Sequence, residues 1–156
     1  MQDQLASQVP GFVCIDHLGL AVPVGELETH VATYCALGFT EVHREDVHGT
    51  DLVREVMLRI GEGPNLVQLL EPLSPESPVA AQLARNNGRG GIAHVALRVT
   101  DVHAAFTAMQ SAGFRLIDRA PRAGSRGTTV FFVHPKTTDA AAFGYVLEVV
   151  QEATGG

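Results

Sequence analysis

The sequence predicts an α+β fold of two tandem βαβββ modules, whose sheets form an incomplete barrel around a metal-binding cleft. The first observation is an internal repeat, which should be sought before single elements are assigned. Residues 15–22 (IDHLGLAV) are similar to residues 92–99 (IAHVALRV), and residues 37–42 (LGFTEV) are similar to residues 112–117 (AGFRLI). The second is that Gln68 and Glu148 occupy corresponding apolar segments. They follow His17 and His94 after similar intervals of 51 and 54 residues.

The first module begins with a predicted strand at residues 13–22, rich in apolar and β-branched residues. A helix is predicted at residues 27–37, because Leu27, Val31 and Cys35 recur at the helical spacing. Gly38 is expected to end this helix, since glycine is favoured just after a helix. Strands at residues 40–45, 53–60 and 65–71 complete the module, which spans residues 13–72.

The second module, residues 92–152, repeats this order within a single domain of 156 residues. Its strand at residues 92–99 precedes a helix at residues 102–112, with Thr100 or Asp101 as the N-cap and Gly113 at the end. Strands are predicted at residues 115–119, 128–134 and 145–151. The linker, residues 73–91, contains a short helix at about residues 78–84 and a glycine-rich turn.

Composition excludes some classes of function. The formal net charge of −6 argues against a nucleic-acid-binding protein, which needs a basic face. Cys14 and Cys35 do not make a disulfide framework and are expected to pack as small apolar side chains. No apolar run approaches transmembrane length, and the polar N-terminal residues lack the apolar core of a secretory leader. The sequence therefore predicts a cytoplasmic protein without membrane association.

Repeat equivalence marks four residues as candidate metal ligands: His17, Gln68, His94 and Glu148. Side chains two residues apart on a strand point to the same face, so polar residues at matching positions of four strands indicate one constellation. Two imidazoles, an amide oxygen and a carboxylate suit a first-row divalent ion or zinc, with positions left for water or substrate. Cobalt, manganese, nickel and zinc all fit these donors.

The remaining histidines lack this equivalence. A single histidine on a strand is more often a packed or surface residue than a ligand. His134, before Pro135, is expected to end a strand. The other four are expected on solvated faces: His30, His43, His48 and His103.

These segments resemble the vicinal oxygen chelate superfamily, which includes glyoxalase I, extradiol dioxygenases and bleomycin-binding proteins. Within it, the chain is most similar to the methylmalonyl-CoA epimerase family over residues 13–152. The segments that carry the resemblance are CIDH at 14–17, VREVM at 53–57, VQLLEPL at 67–73, SPVA at 77–80, GIAHVA at 91–96, RLID at 115–118 and VHPK at 133–136.

The resemblance implies the glyoxalase fold and interconversion of (2R)- and (2S)-methylmalonyl-CoA, or of a close 2-alkylmalonyl-CoA. It also implies metal binding by the four candidate ligands and an acid/base role for Glu55. The chemistry is consistent, because removing the proton between a thioester and a carboxylate gives an enolate that needs nearby positive charge. Inversion needs an acid/base group on each face, and Glu148 could serve the face opposite Glu55.

The family also implies an acyl-CoA substrate and a homodimer. Arg126 and Lys136 could meet the CoA phosphates, although a solvated charged loop explains them equally well. Residues 137–143 form a longer, more alanine-rich loop than is typical of the family, which leaves two alternatives open. One is a glyoxalase-like isomerase or biosynthetic enzyme with a changed substrate. The other is a metal-free protein that binds a small molecule.

Overall fold

The computed structural model describes residues 9–136 and 144–154. Packing divides the chain into two units. The first unit is His17–Ala93, and the second combines the described residues up to Asp16 with those from His94 onward. Each unit is built around one βαβββ repeat, which confirms the predicted fold class. The start of the first strand packs with the second unit, a division that the sequence pattern does not reveal.

The first repeat comprises β1 (Phe12–Ala21), α1 (Leu27–Ala36), β2 (Thr40–Val47), β3 (Val53–Arg59) and β4 (Leu66–Pro72). Its strands are ordered β2-β3-β4-β1, with β1 parallel to β4 and the other pairs antiparallel. Helix α2 (Pro78–Arg85) follows, and Ser77 is its N-cap, because the Ser77 hydroxyl accepts a hydrogen bond from Val79 N. The apolar core of this unit lies between the sheet and its helices.

The second repeat comprises β5 (Gly91–Val99), α3 (Val102–Ser111), β6 (Arg122–Ala123), β7 (Thr129–Val133) and β8 (Val146–Gln151), with a 3-10 turn at Ser125–Gly127. The strands are ordered β5-β8-β7-β6, and β5 is parallel to β8. Asp101 is the N-cap of α3, because its carboxylate accepts from His103 N and Ala104 N. The main core packs α3 against β7 and β8.

The two repeats hold the start of their helix by the same kind of contact. In the first unit, Oε2 of Glu71 on β4 accepts from Leu27 N at 3.1 Å. In the second, Oε1 of Gln151 on β8 accepts from Val102 N at 2.9 Å. Each side chain lies three residues after a candidate ligand and satisfies an N–H that the first helical turn leaves without a backbone partner. The last strand therefore fixes the helix in both units.

The strand predicted at residues 115–119 is wrong. Only Leu116 forms a bridge, to Val133, and the chain then bends until β6. The cause is Asp118, whose Oδ2 accepts from Phe132 N at 2.8 Å while its Oδ1 accepts from Arg122 Nε at 2.9 Å. A side-chain carboxylate thus replaces the next backbone acceptor of the ladder.

The other element bounds differ from the predictions by one or two residues. Glycines Gly38 and Gly113 follow α1 and α3 with φ of 103° and 93°, the left-handed conformation that ends a helix. Both cysteines are free thiols as expected, but Cys35 is exposed rather than packed. No helix among the described residues has the length and apolar character needed to cross a membrane.

Asp16 is the centre of a buried ion cluster in the second unit. Its side chain has no exposed surface and binds Arg98 at 2.7 Å and Arg126 at 3.0 Å. Burial lowers the pKa of Arg98, but the hydrogen bond and charge of Asp16 outweigh it, and the net pKa is raised. The guanidinium therefore stays charged beside the carboxylate.

Replacing Asp16 by Asn should destabilise the protein by about 3–5 kcal/mol, because two guanidinium groups lose their buried counter-charge. Chemical denaturation monitored by circular dichroism measures this loss. The matched control is Asp46→Asn, which breaks an exposed pair with Arg54 and should leave the unfolding midpoint almost unchanged. Equal effects of the two substitutions would contradict a structural role for the buried cluster.

Candidate functional site

The five residues predicted for metal binding and acid/base chemistry are all buried. The described residues include eight buried polar or charged side chains: Asp16, His17, Glu55, Gln68, Ser77, His94, Thr128 and Glu148. Three of these have structural roles: the ion cluster for Asp16, the helix cap for Ser77, and the turn at Ser125–Gly127 for Thr128. The rest are the predicted site residues, and burying such groups is costly unless they are partnered or bind a ligand.

In the first unit, the parallel pairing of β1 with β4 places His17 and Gln68 on one face. His17 lies opposite Leu66, and Gln68 lies opposite Gly19. Because alternate residues share a face, His17 and Gln68 project to the same side, displaced by two residues. Gly19 has no side chain, which leaves room above β1 for the amide of Gln68.

The second unit repeats this geometry. His94 lies opposite Val146, and Glu148 lies opposite Ala96, so the same two-residue offset relates the imidazole to the second donor. Ala96, like Gly19, is a small residue beside the longer side chain. A ring nitrogen of His94 and a carboxylate oxygen of Glu148 lie within 4.8 Å of each other. This His/Glu pair could share one metal ion.

Glu55, on β3, lies on the same face of the first-unit sheet as His17 and Gln68. It is 1% exposed, and its Oε2 accepts a hydrogen bond from Nε2 of Gln68. This bond turns the amide so that its nitrogen faces Glu55. Oε1 of Gln68 is then a buried acceptor that receives no hydrogen bond among the described residues. A buried amide oxygen left in this way suits a cation, and this donor set therefore fits a divalent metal.

The repeat does not extend to the carboxylate of Glu55. Glu55 lies opposite Leu70 on β4, two residues after Gln68. The residue two positions after Glu148 on β8 is Val150, and it lies opposite Val130. An aliphatic side chain thus replaces the carboxylate in the second unit. Each unit contributes one buried carboxylate to the set of predicted site residues, Glu55 on β3 and Glu148 on β8.

An aromatic side chain lies beside the second-unit pair, and a basic side chain packs on that ring. Phe132 lies opposite Glu148 on β7, and its ring meets the His94 ring edge-on at a centroid distance of 6.0 Å. The guanidinium carbon of Arg122 lies 5.1 Å from the centroid of Phe132. Sequence reasoning missed these contacts, and Asp118 is part of the reason, because its carboxylate accepts a hydrogen bond from Arg122 Nε.

Arg126 and Lys136, the residues considered for CoA binding, differ in their surroundings. Arg126 is bonded to Asp16, so a phosphate would have to compete with that buried carboxylate. Lys136 is exposed, and its backbone N–H donates to Nδ1 of His134 at 3.0 Å. The loop at residues 137–143 lies outside the described residues. A phosphate contact by either side chain stays a prediction.

Comparison with known proteins identifies the family. Residues 16–132 match the model of the glyoxalase/bleomycin resistance protein/dioxygenase superfamily. The chain belongs to this superfamily. An ethylmalonyl-CoA/methylmalonyl-CoA epimerase of Cereibacter sphaeroides is 34% identical over 127 residues, which cover 78% of this chain and 88% of that protein.

Two further proteins that are similar to this chain are also named methylmalonyl-CoA epimerase. A structure of Streptomyces coelicolor methylmalonyl-CoA epimerase in complex with 2-nitronate-propionyl-CoA is 35% identical with a TM-score of 0.80, and the match covers 92% of this chain and 99% of that chain. The mitochondrial methylmalonyl-CoA epimerase of Dictyostelium discoideum is 38% identical over 71 residues, only 46% of this chain and 42% of that protein. The resemblance to methylmalonyl-CoA epimerases drawn from the sequence is therefore confirmed.

Proposed function

We propose that this chain is a metal-dependent epimerase that interconverts (2R)- and (2S)-methylmalonyl-CoA or a close 2-alkylmalonyl-CoA. The observation that carries the proposal is the pair of buried carboxylates, Glu55 and Glu148, at positions that the repeat does not make equivalent. Epimerisation needs two acid/base groups, one for each face of a planar enolate. The epimerase relatives and the acyl-CoA analogue bound to one of them support the substrate class.

In this proposal His17, Gln68, His94 and Glu148 hold one divalent ion. When bound, such an ion would supply the positive charge that an enolate needs. Glu55 takes or returns the C2 proton at one face and the carboxylate of Glu148 acts at the other. The amide of Gln68 holds Glu55 in place through their hydrogen bond.

The test of this chemistry is exchange of the C2 proton with deuterated solvent, followed separately for each epimer by mass spectrometry. The wild-type protein loaded with cobalt or manganese should exchange the proton of both epimers. Glu55→Gln should slow epimerisation roughly 100-fold or more. Proton exchange from one epimer should persist in this variant, because the opposite face keeps its own carboxylate.

Glu62→Gln, a change at an exposed glutamate, is the matched control and should behave as wild type. Loss of exchange from both epimers in Glu55→Gln would argue that one carboxylate serves both faces. No exchange by the wild-type protein would overturn the proposed function. Turnover of hemithioacetals by such a protein would instead favour the glyoxalase-like alternative.

Metal binding is tested apart from activity by titrating the metal-free protein with cobalt and following its visible absorption. One ion per chain is expected. Gln68→Ala should weaken binding by at least about 10- to 100-fold, the range found when groups that only support metal ligands are removed. Gln82→Ala, which loses an exposed bond to the Ile92 carbonyl, should bind cobalt as wild type does. Equal affinities of the two variants would remove Gln68 from the ligand set.

We also propose a homodimer in the cytoplasm. Three apolar residues near the start of β1 are more than two-fifths exposed: Phe12 at 54%, Val13 at 51% and Ile15 at 45%. Val13 and Ile15 share one face of the strand, and adjoining exposed apolar residues often mark an interface. Sedimentation equilibrium should give twice the chain mass of 16.6 kDa, and Val13→Lys should shift the mass toward the monomer. A monomeric wild-type protein would contradict the dimer.

A further inference from the structure

Two side chains on β2 lie beside Glu55 and have no part in the chemistry described so far. Glu45 lies directly opposite Glu55 in the antiparallel pairing of β2 with β3, and His43 lies opposite Met57. Both therefore share the face of Glu55. Nε2 of His43 is 2.9 Å from Oε1 of Glu45, and a ring nitrogen of His43 lies within 4.8 Å of a carboxylate oxygen of Glu55.

A β-bulge is responsible for the placement of His43. The pairing runs from Glu41 opposite Leu58 directly to His43 opposite Met57. Val42 is the extra residue, and it is 46% exposed. Without the bulge Val42 would stand opposite Met57, and the imidazole would point to the other face. Bulges commonly redirect a side chain in this way beside active sites.

The cluster links a buried group to the protein surface. Glu55 is 1% exposed, whereas the side chains of His43 and Glu45 are 30% and 36% exposed. Glu55 therefore has almost no direct access to water, but its neighbours on β2 do. The distance of up to 4.8 Å between His43 and Glu55 is one that a single bridging water can span.

Two-carboxylate epimerisation creates a need for such a link. When Glu55 removes the C2 proton, the C–H electron pair enters the enolate and Glu55 becomes a carboxylic acid. The opposite carboxylic acid then protonates C2 and becomes a carboxylate. The product leaves an enzyme whose two carboxyl groups have exchanged protonation states. Before the next turnover in the same direction, Glu55 must lose its proton and the other group must gain one.

We propose that His43, oriented by Glu45, carries protons between Glu55 and solvent and so returns the enzyme to its starting state. This inference rests on the proposed function, because it assigns a route for the proton that Glu55 handles. The carboxylic acid of Glu55 gives its proton to the neutral imidazole, and the resulting imidazolium releases one to water. The reverse transfer resets turnover in the other direction. Imidazole exchanges protons readily with water near neutral pH.

The contact between His43 and Glu45 has little value for stability, because both side chains are partly exposed and pairs at the surface contribute little. The same type of pair occurs in α1, where Nε2 of His30 lies 3.6 Å from Oε2 of Glu26, far along the chain from the catalytic residues. His30→Phe is therefore a matched control for His43→Phe.

The experiment compares single and multiple turnovers of the metal-loaded full-length protein on (2R)-[2-²H]methylmalonyl-CoA. With enzyme in excess, His43→Phe should lose deuterium from C2 at a rate within about twofold of wild type, because no reset is needed. In steady state its kcat should fall roughly 100-fold or more, the loss expected when a positioned acid/base is removed. Added imidazole should restore kcat in this variant and have no effect on His30→Phe.

Two outcomes would overturn the inference. One is a wild-type kcat in His43→Phe. The other is an equal fall of the single-turnover and steady-state rates without imidazole rescue, which would make His43 only a structural support for Glu55. If His43→Phe does not fold, His43→Gln replaces it, since it keeps a polar side chain that does not carry a proton at neutral pH. A wild-type protein that releases no deuterium would instead refute the proposed function itself.

Discussion

The parallel pairing of the first and last strands in each repeat is the constraint on which the site depends. It places an imidazole and a second donor on one face with a two-residue offset, His17 with Gln68 and His94 with Glu148. The same last strands bind the helix N-termini through side chains three residues further on. A one-residue slip of the pairing would turn each donor to the other face and break the helix contact, so fold and donor geometry are specified together.

The proposed chemistry depends on the positions at which the two repeats differ. A strictly symmetric pair of units would provide matching donors but no group set apart for proton transfer. Glu55 on β3 corresponds to Val130 on β7, and this difference gives the first unit a buried carboxylate outside the ligand positions. The bulge in β2 is a second break, because it brings His43 to the same face. Departures from local regularity of this kind are expected at functional positions.

Much of this was predictable from the sequence, because the repeat supplies two readings of each strand. His17, Gln68, His94 and Glu148 stand at matching positions, and the alternation of a strand decides which side chains share a face. Local patterns failed where a distant contact decides the conformation. Arg115, Leu116 and Ile117 have the pattern of a strand, but Asp118 ends it by bonding to β7. His43 was expected on a solvated face, and no local signal reveals the bulge that turns it toward Glu55.

The amide at residue 68 links the proposed metal ligands to the proposed base. A glutamate there would provide a second anionic ligand, but it would also place a carboxylate against Glu55, and two neighbouring carboxylates resist ionising together. An amide presents an acceptor oxygen and a donor nitrogen at once. In this structure the nitrogen is used by Glu55, which leaves the oxygen for a cation. In the proposed function Gln68 would therefore hold an anionic base and offer a metal ligand at once, and this double use would account for the difference between the two units at this residue.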